Sequence, residues 1–99
     1  EIDFNTTSDA RVKENIRDVD GLLPLINSIE VKKFNKIGAE GDTIGCIAQQ
    51  VKEVFPQAVD VMETDEYDDM HFMDYSKFVG TLIGAIQELS DKVEALENA

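Results

Sequence analysis

The chain has no tryptophan, one cysteine, one histidine, two prolines and only nine Lys/Arg among its 99 residues. Each shortage excludes something. A lone cysteine cannot form an internal disulfide, and Cys46, between Gly45 and Ile47, reads as a buried small hydrophobe. The lone histidine, His71, has no cysteine or second histidine at metal-ligand spacing, so no zinc site is expected. The acidic run Asp65, Glu66, Asp68, Asp69 lacks the glycine and distal glutamate of a calcium loop and reads as a solvated turn. Glycines 38, 41 and 45 are not followed by Lys-Ser/Thr, so no phosphate loop is indicated. Neither a metal nor another cofactor is expected. No run approaches the ~18 apolar residues of a membrane-spanning helix, and no secretory leader pattern is present. Cations are outnumbered by 21 Asp/Glu, and the net charge of -12 argues against nucleic acid and against an anionic membrane surface as partners. Seven of the nine Lys/Arg lie in the first 52 residues, which leaves the C-terminal half strongly acidic.

With 42% hydrophobic residues, the composition is that of one small folded domain with a modest core. Glu1 is not a natural start, so the chain is expected to be a piece of something longer. The alternation at Ile2 and Phe4 suggests a short strand or the tail of a preceding domain over Glu1–Thr6. Asp20–Ser28 reads as a short helix capped by Asp18 or Asp20, with Pro24 tolerated near its first turn. Ile29–Ile37 and Thr43–Ile47 read as strands joined by the turn Gly38–Asp42. Ala48–Phe55 has helical spacing that Pro56 stops. Ala58–Met62 and His71–Asp74 read as two more strands around the acidic turn Glu63–Asp69, with Met62, Met70 and Met73 as core filling. The expected class is α+β: short strands and helices followed by one long C-terminal helix.

That last helix carries the clearest pattern. Tyr75, Val79, Leu82, Ile86, Leu89, Val93 and Leu96 are spaced 4, 3, 4, 3, 4, 3. Val79, Ile86 and Val93 occupy heptad position a and the others d, with Phe78 and Ile83 widening the apolar face in the first half. Past Leu89 the flanking residues are polar, and Lys92 at g can meet Glu97 at e of a neighbouring chain. The second half therefore reads as a projecting coiled coil. Taken alone, β-branched residues at a with Leu at d favour a two-stranded assembly.

The N-terminal strip T-S-D-A-R-V-K-E-N-I, from Thr7, puts Ser8, Asp9, Arg11 and Lys13 within six positions. A serine hydroxyl becomes a nucleophile when a base takes its proton, and a lysine serves if its ammonium, of ordinary pKa ~10.4, is made to deprotonate. Burial and a neighbouring cation such as Arg11 act in that direction. The spacing of five is awkward. On a helix the two side chains lie roughly 140° apart, and on a strand an odd offset puts them on opposite faces. A serine–lysine pair here needs a turn, a bulge or a partner chain. Asp9 or backbone N–H groups are candidates to orient the pair or stabilise an oxyanion.

Four segments together resemble one family. S-D-A-R-V-K-E-N-I (8–16) is similar to the S-D-x-R-x-K-x-x-I opening of the intramolecular chaperone auto-processing domain, found at the C-terminus of phage endosialidase tailspikes, tail fibres and neck appendages and within the myelin regulatory factor family. I-G-C-I-A-Q-Q-V-K-E-V-F-P (44–56) resembles that family's G-x-I-A-Q-E-V-x-x-x-F-P block. D-Y-S-K-F-V (74–79) and A-I-Q-E-L-S-D-K-V-E-A-L (85–96) resemble its D-Y-S segment and terminal coiled helix. Gln50 stands where glutamate is more usual, Cys46 where an aromatic is common, and the middle, between Phe34 and Thr43, is short.

The resemblance implies a domain that trimerises a β-rich fibre or tailspike of the same polypeptide, assists its folding and then cuts itself off. A homotrimer replaces the two-stranded expectation, with Val79, Leu82, Ile86, Leu89, Val93 and Leu96 as its seam. Ser8 is then the nucleophile and Lys13 its general base. The cut falls at Thr7–Ser8, or alternatively at Ser8–Asp9, with Asp9 and Arg11 in support. Residues 1–7 become the tail of the upstream client, 8–74 the processing core and 75–99 the coiled-coil helix. The setting is the host cytoplasm during phage assembly. The alternative is a trimerisation or adhesion module of a fibrous protein that does not cleave.

Overall fold

The longest element comes last. In the computed structural model, which describes residues 7–99, helix α3 spans Ser76–Glu97, about 33 Å at 1.5 Å per residue. Its start is fixed by Asp74, whose carboxylate accepts hydrogen bonds from the Ser76 N–H (3.1 Å) and hydroxyl (2.5 Å). The Ser76 hydroxyl holds the Asp74 carboxyl below its ordinary range. The expected strand over Glu1–Thr6 lies outside the described residues.

Helix α1 (Leu22–Asn27) is shorter than expected and capped differently. Neither Asp18 nor Asp20 caps it. The residue at the cap is Gly21, at φ 73°, which has no side chain to offer. The cap comes from α3 instead: the Glu88 carboxylate accepts the Leu22 N–H at 3.0 Å and the Leu23 N–H at 2.9 Å. These two donors are among the amides a helix start leaves without partners. They hold the Glu88 carboxyl below its ordinary range, Leu23 contributing most. Pro24 is the third residue of α1, where its missing N–H costs nothing.

Strands β1 (Lys32–Phe34) and β2 (Thr43–Gly45) pair antiparallel, with Lys33 opposite Ile44. Both are shorter than their apolar patterns suggested. The turn between them is closed by Asn35, whose side-chain amide donates to the Gly41 carbonyl and to Asp42, each at 2.7 Å. Helix α2 (Ala48–Val54) follows, and Pro56 opens a 3-10 turn over Pro56–Ala58. A second antiparallel pair, β3 (Val59–Met62) with β4 (Met70–Met73), encloses the acidic turn. The two hairpins form separate two-stranded sheets. The architecture is α+β with a long C-terminal helix.

Val51, Phe55, Ala58 and Val59 make the main core, with Leu25, Ile29, Cys46, Ala48, Val54, Met73 and Phe78 packed around it. The Phe55 and Phe78 rings meet edge to face at 5.5 Å and 86°, an orientation the ring quadrupoles favour. Cys46 is half-buried rather than buried, and of the three methionines only Met73 packs on this core; Met62 is half exposed at the turn end of its strand. Gln50 ties α2 to the connection after α1. Its carbonyl accepts the Glu30 N–H at 3.0 Å and its amide donates to the Ser28 carbonyl at 2.9 Å.

The radius of gyration is 17.2 Å, against about 13 Å for a compact domain of this size. The long helix α3 and the wholly exposed stretch 7–20 both accord with that excess. The inner side of α3, Phe78 and Ala85 at g, Thr81 and Glu88 at c and Gly84 at f, faces α1 and the Pro56–Ala58 turn. The a/d seam does not: Val79, Ile86 and Leu96 are 62%, 65% and 77% exposed.

Candidate functional site

Residues spaced five apart on an extended chain are separated by up to ~17 Å. A turn closes that gap. Asp9 caps a 3-10 turn over Ala10–Val12: its carboxylate accepts the Arg11 N–H at 2.9 Å, while the Val12 and Lys13 N–H groups bond back to the Asp9 and Ala10 carbonyls at 3.1 Å each. The turn-forming tendency of a short acidic side chain thus reverses the chain over four residues. Lys13 Nζ comes to 2.6 Å from Ser8 Oγ. Of the ways to join the two side chains, the structure uses the turn.

Arg11 does not act on Lys13 as a free cation. It grips Asp9 through Nη2 at 2.7 Å and Nε at 3.1 Å. Each group steadies the charge of the other: Arg11 lowers the Asp9 carboxyl below its ordinary range, through its side chain first and its backbone N–H second, and Asp9 raises the Arg11 guanidinium. The pair therefore stiffens the turn that presents Ser8 and Lys13. Asp9, which accepts three hydrogen bonds from Arg11, is a positioning group for the turn.

The strip is self-contained. Thr7 to Asp20 are all exposed, and every hydrogen bond described for Ser8–Asp20 is internal to that stretch. Asn15 sits at φ 54° and its carbonyl accepts from Arg17 Nη1 at 2.8 Å. An asparagine tolerates this left-handed conformation better than most residues, and here it redirects the chain just after Lys13. The next fixed point is α1, held by Glu88. Arg17, Asp18 and Val19 line a groove of about 550 Å³ together with Ile83, Gln87 and Asp91 of α3. A larger hollow of about 830 Å³ lies between Leu22, Leu25, Phe55 and Thr81 and shares Val19, Leu22 and Gly80 with the first. Neither hollow contains Ser8 or Lys13. Sequence reasoning missed Glu88 and Asn15. The asparagine was legible as a residue that turns; the glutamate was not, because its partners lie 65 and 66 positions away.

Residues 8–60 match the peptidase family described as chaperone of endosialidase. The chain belongs to this family. The match opens at Ser8 and runs through the strip, α1, the first hairpin, α2 and the start of β3. A relative covering more of the chain is a probable tail fiber protein of Escherichia phage Phieco32, 36% identical over 94 residues. The alignment covers 91% of this chain and 13% of that protein, so the chain spans a small part of its relative's length. Among the described residues no helix is long and apolar enough to cross a membrane.

Proposed function

We propose that this chain is the self-releasing chaperone of a phage tail fibre or tailspike. It trimerises through the α3 seam, supports folding of the β-rich fibre to which it is joined, and detaches by serine–lysine autoproteolysis near Ser8. Residues 1–7 belong to the client, 8–74 to the processing core and 75–99 to the trimerising helix. The work takes place in the host cytoplasm while the virion is assembled. Family membership and the tail-fibre relative support the chaperone role. The observation that carries the cleavage reading is the 2.6 Å approach of Lys13 Nζ to Ser8 Oγ.

Along that contact a neutral Lys13 takes the Ser8 hydroxyl proton, and Ser8 Oγ attacks the Thr7 carbonyl carbon. The Thr7–Ser8 C–N bond breaks as the ester C–O bond forms. Lys13 returns its proton to the departing Ser8 nitrogen, which becomes an amine. Water then hydrolyses the ester, restoring the Ser8 hydroxyl and leaving Thr7 as a carboxylate. A charged Lys13 can only donate across the same contact, so the reaction waits for its deprotonation. Burial disfavours the charged form, and the strip is open to water in a single chain. Covering it by assembly is the step that couples cutting to correct folding of three copies.

Mass spectrometry of the purified chain tests this. The wild type loses residues 1–7, while Ser8→Ala and Lys13→Ala stay whole with unchanged circular dichroism. A Ser8→Ala chain that is still cut overturns the assignment. A cleavage rate independent of protein concentration and of Leu89→Asp overturns the coupling to assembly.

A further inference from the structure

Ile83 is the large aliphatic residue of α3 that neither the a/d stripe nor the core uses. It sits at heptad position e, 54% exposed, beside Val79 and Leu82. Its position in the heptad says what reaches it. In a parallel bundle, a g residue of one helix meets the e residue five positions on in the next helix. On α3 that rule pairs Phe78 with Ile83 and Lys92 with Glu97, while Ala85, the g residue between them, is already buried against its own chain. The last pair is a cation against an anion, in a chain whose net charge of -12 otherwise opposes self-association. The first pair is apolar on both sides. Phe78 is half-buried in its own core, and Tyr75 leans on it with ring centroids 6.2 Å apart while itself 68% exposed. One chain thus shows an aromatic edge on the g side of α3 and a bare isoleucine on the e side.

We propose that these two surfaces meet between copies: the Tyr75–Phe78 edge of one chain packs on Ile83 of the next. This rests on the assembly reading above and extends it, because the contact joins the folded core of one copy to the helix of its neighbour. Phe78 already touches Phe55, so Ile83 of the next chain lengthens that core across the interface. The e side of α3 is also the wall of the groove that holds Arg17, Asp18 and Val19. The copy that covers Ile83 therefore arrives beside the stretch leading back to Lys13 and Ser8. Val19, 70% exposed, is the residue of that stretch placed to be covered with it.

Sedimentation of the full chain, with Ile83→Ser, Tyr75→Ala, the double variant and Leu89→Asp, tests the contact. Ile83→Ser and Tyr75→Ala should each weaken association about tenfold without altering circular dichroism. The double variant should fall short of the product of the two effects by about fivefold, as contacting residues do. On a non-reducing gel of Cys46→Ala chains, Lys92→Cys should crosslink to Glu97→Cys in preference to itself. If Leu89→Asp leaves association unchanged, the assembly reading fails and this one with it. If Leu89→Asp dissociates the chains while the Ile83 and Tyr75 effects are absent or simply multiply, the proposed contact alone is wrong. Absence of the Lys92–Glu97 crosslink preference overturns the parallel register on which it depends.

Discussion

Replacing Gln50 by glutamate exchanges one NH2 for one oxygen, and the structure says which bond that breaks. The Glu30 N–H can only donate, so the Gln50 atom facing it is Oε1 and the atom facing the Ser28 carbonyl is Nε2. Glutamate keeps the first bond and loses the second. It also places a carboxylate oxygen where the amide nitrogen now lies, 2.9 Å from the Ser28 carbonyl oxygen. A lost hydrogen bond costs about 1 kcal/mol and an unmatched polar group at a half-buried site adds to it, so Gln50→Glu should destabilise by about 1–3 kcal/mol at neutral pH. Protonation turns the penalty off, since a carboxylic acid can donate to Ser28. The folded state thus raises the pKa of the introduced group above its unfolded value. The variant should match the wild type at a pH below the unfolded carboxylate value and fall behind as pH rises through the folded one. Urea unfolding followed by circular dichroism, at one fixed protein concentration, measures the difference between the two chains across that range. Equal stability at pH 7, or a deficit that does not shrink in acid, refutes the reading of Gln50 as a bracket across α1 and α2.

The two glycines of α3 should behave oppositely. Nothing lies within 4 Å of a Cβ built at Gly80, so Gly80→Ala should stabilise by about 1 kcal/mol through helix propensity. A Cβ at Gly84 overlaps Leu22 Cδ1, so thermal melts of Gly84→Ala should show that gain reduced or reversed as Leu22 is displaced. Glu88→Gln should lower the melting temperature at neutral pH, and the deficit should shrink as pH falls. The Glu88 carboxyl lies below its ordinary 4.5 because it accepts the Leu23 and Leu22 N–H bonds, so its contribution is present above that value and lost as pH falls through the depressed one.

What was legible in the sequence was periodic or strictly local. The long helix α3 could be read because its apolar spacing is a property of one helix, and the α2 stop because Pro56 carries it alone. The Ser8–Lys13 approach was half legible. Spacing of five excluded both regular elements, and Thr7, Ser8 and Asp9 advertised a turn, but only the Asp9–Arg11 grip shows which turn forms. The cap of α1 was misread for a related reason. Asp18 and Asp20 are sound caps by composition, yet the chain reaches α1 through Gly21 in a left-handed conformation, and Glu88 supplies the acceptor from another element. Side chains that act across 20 positions, as Gln50 does on Glu30, or across 65, as Glu88 does on Leu23, leave no mark on local pattern.

The exposure of the seam bears directly on how strip and helix depend on one another. Val79, Leu82, Ile86, Leu89, Val93 and Leu96 are 42–77% exposed, and completing the burial of such a side chain is worth about 1 kcal/mol or more. Over six residues that approaches ~6 kcal/mol per chain, comparable to the 5–15 kcal/mol that holds a whole domain folded. The core of a single copy rests on Val51, Phe55, Ala58 and Val59 with one layer of half-buried neighbours, so little of that total is available without assembly. The strip draws on none of it: its bonds run among Ser8, Asp9, Ala10, Arg11, Val12 and Lys13 and between Asn15 and Arg17. Under the proposed mechanism, a turn that forms before association, on the same chain as a helix that association would stabilise, lets Ser8 and Lys13 be in contact early and yet wait. The event they would wait for is the exclusion of water around Lys13, which a single copy, exposed from Thr7 to Asp20, does not provide.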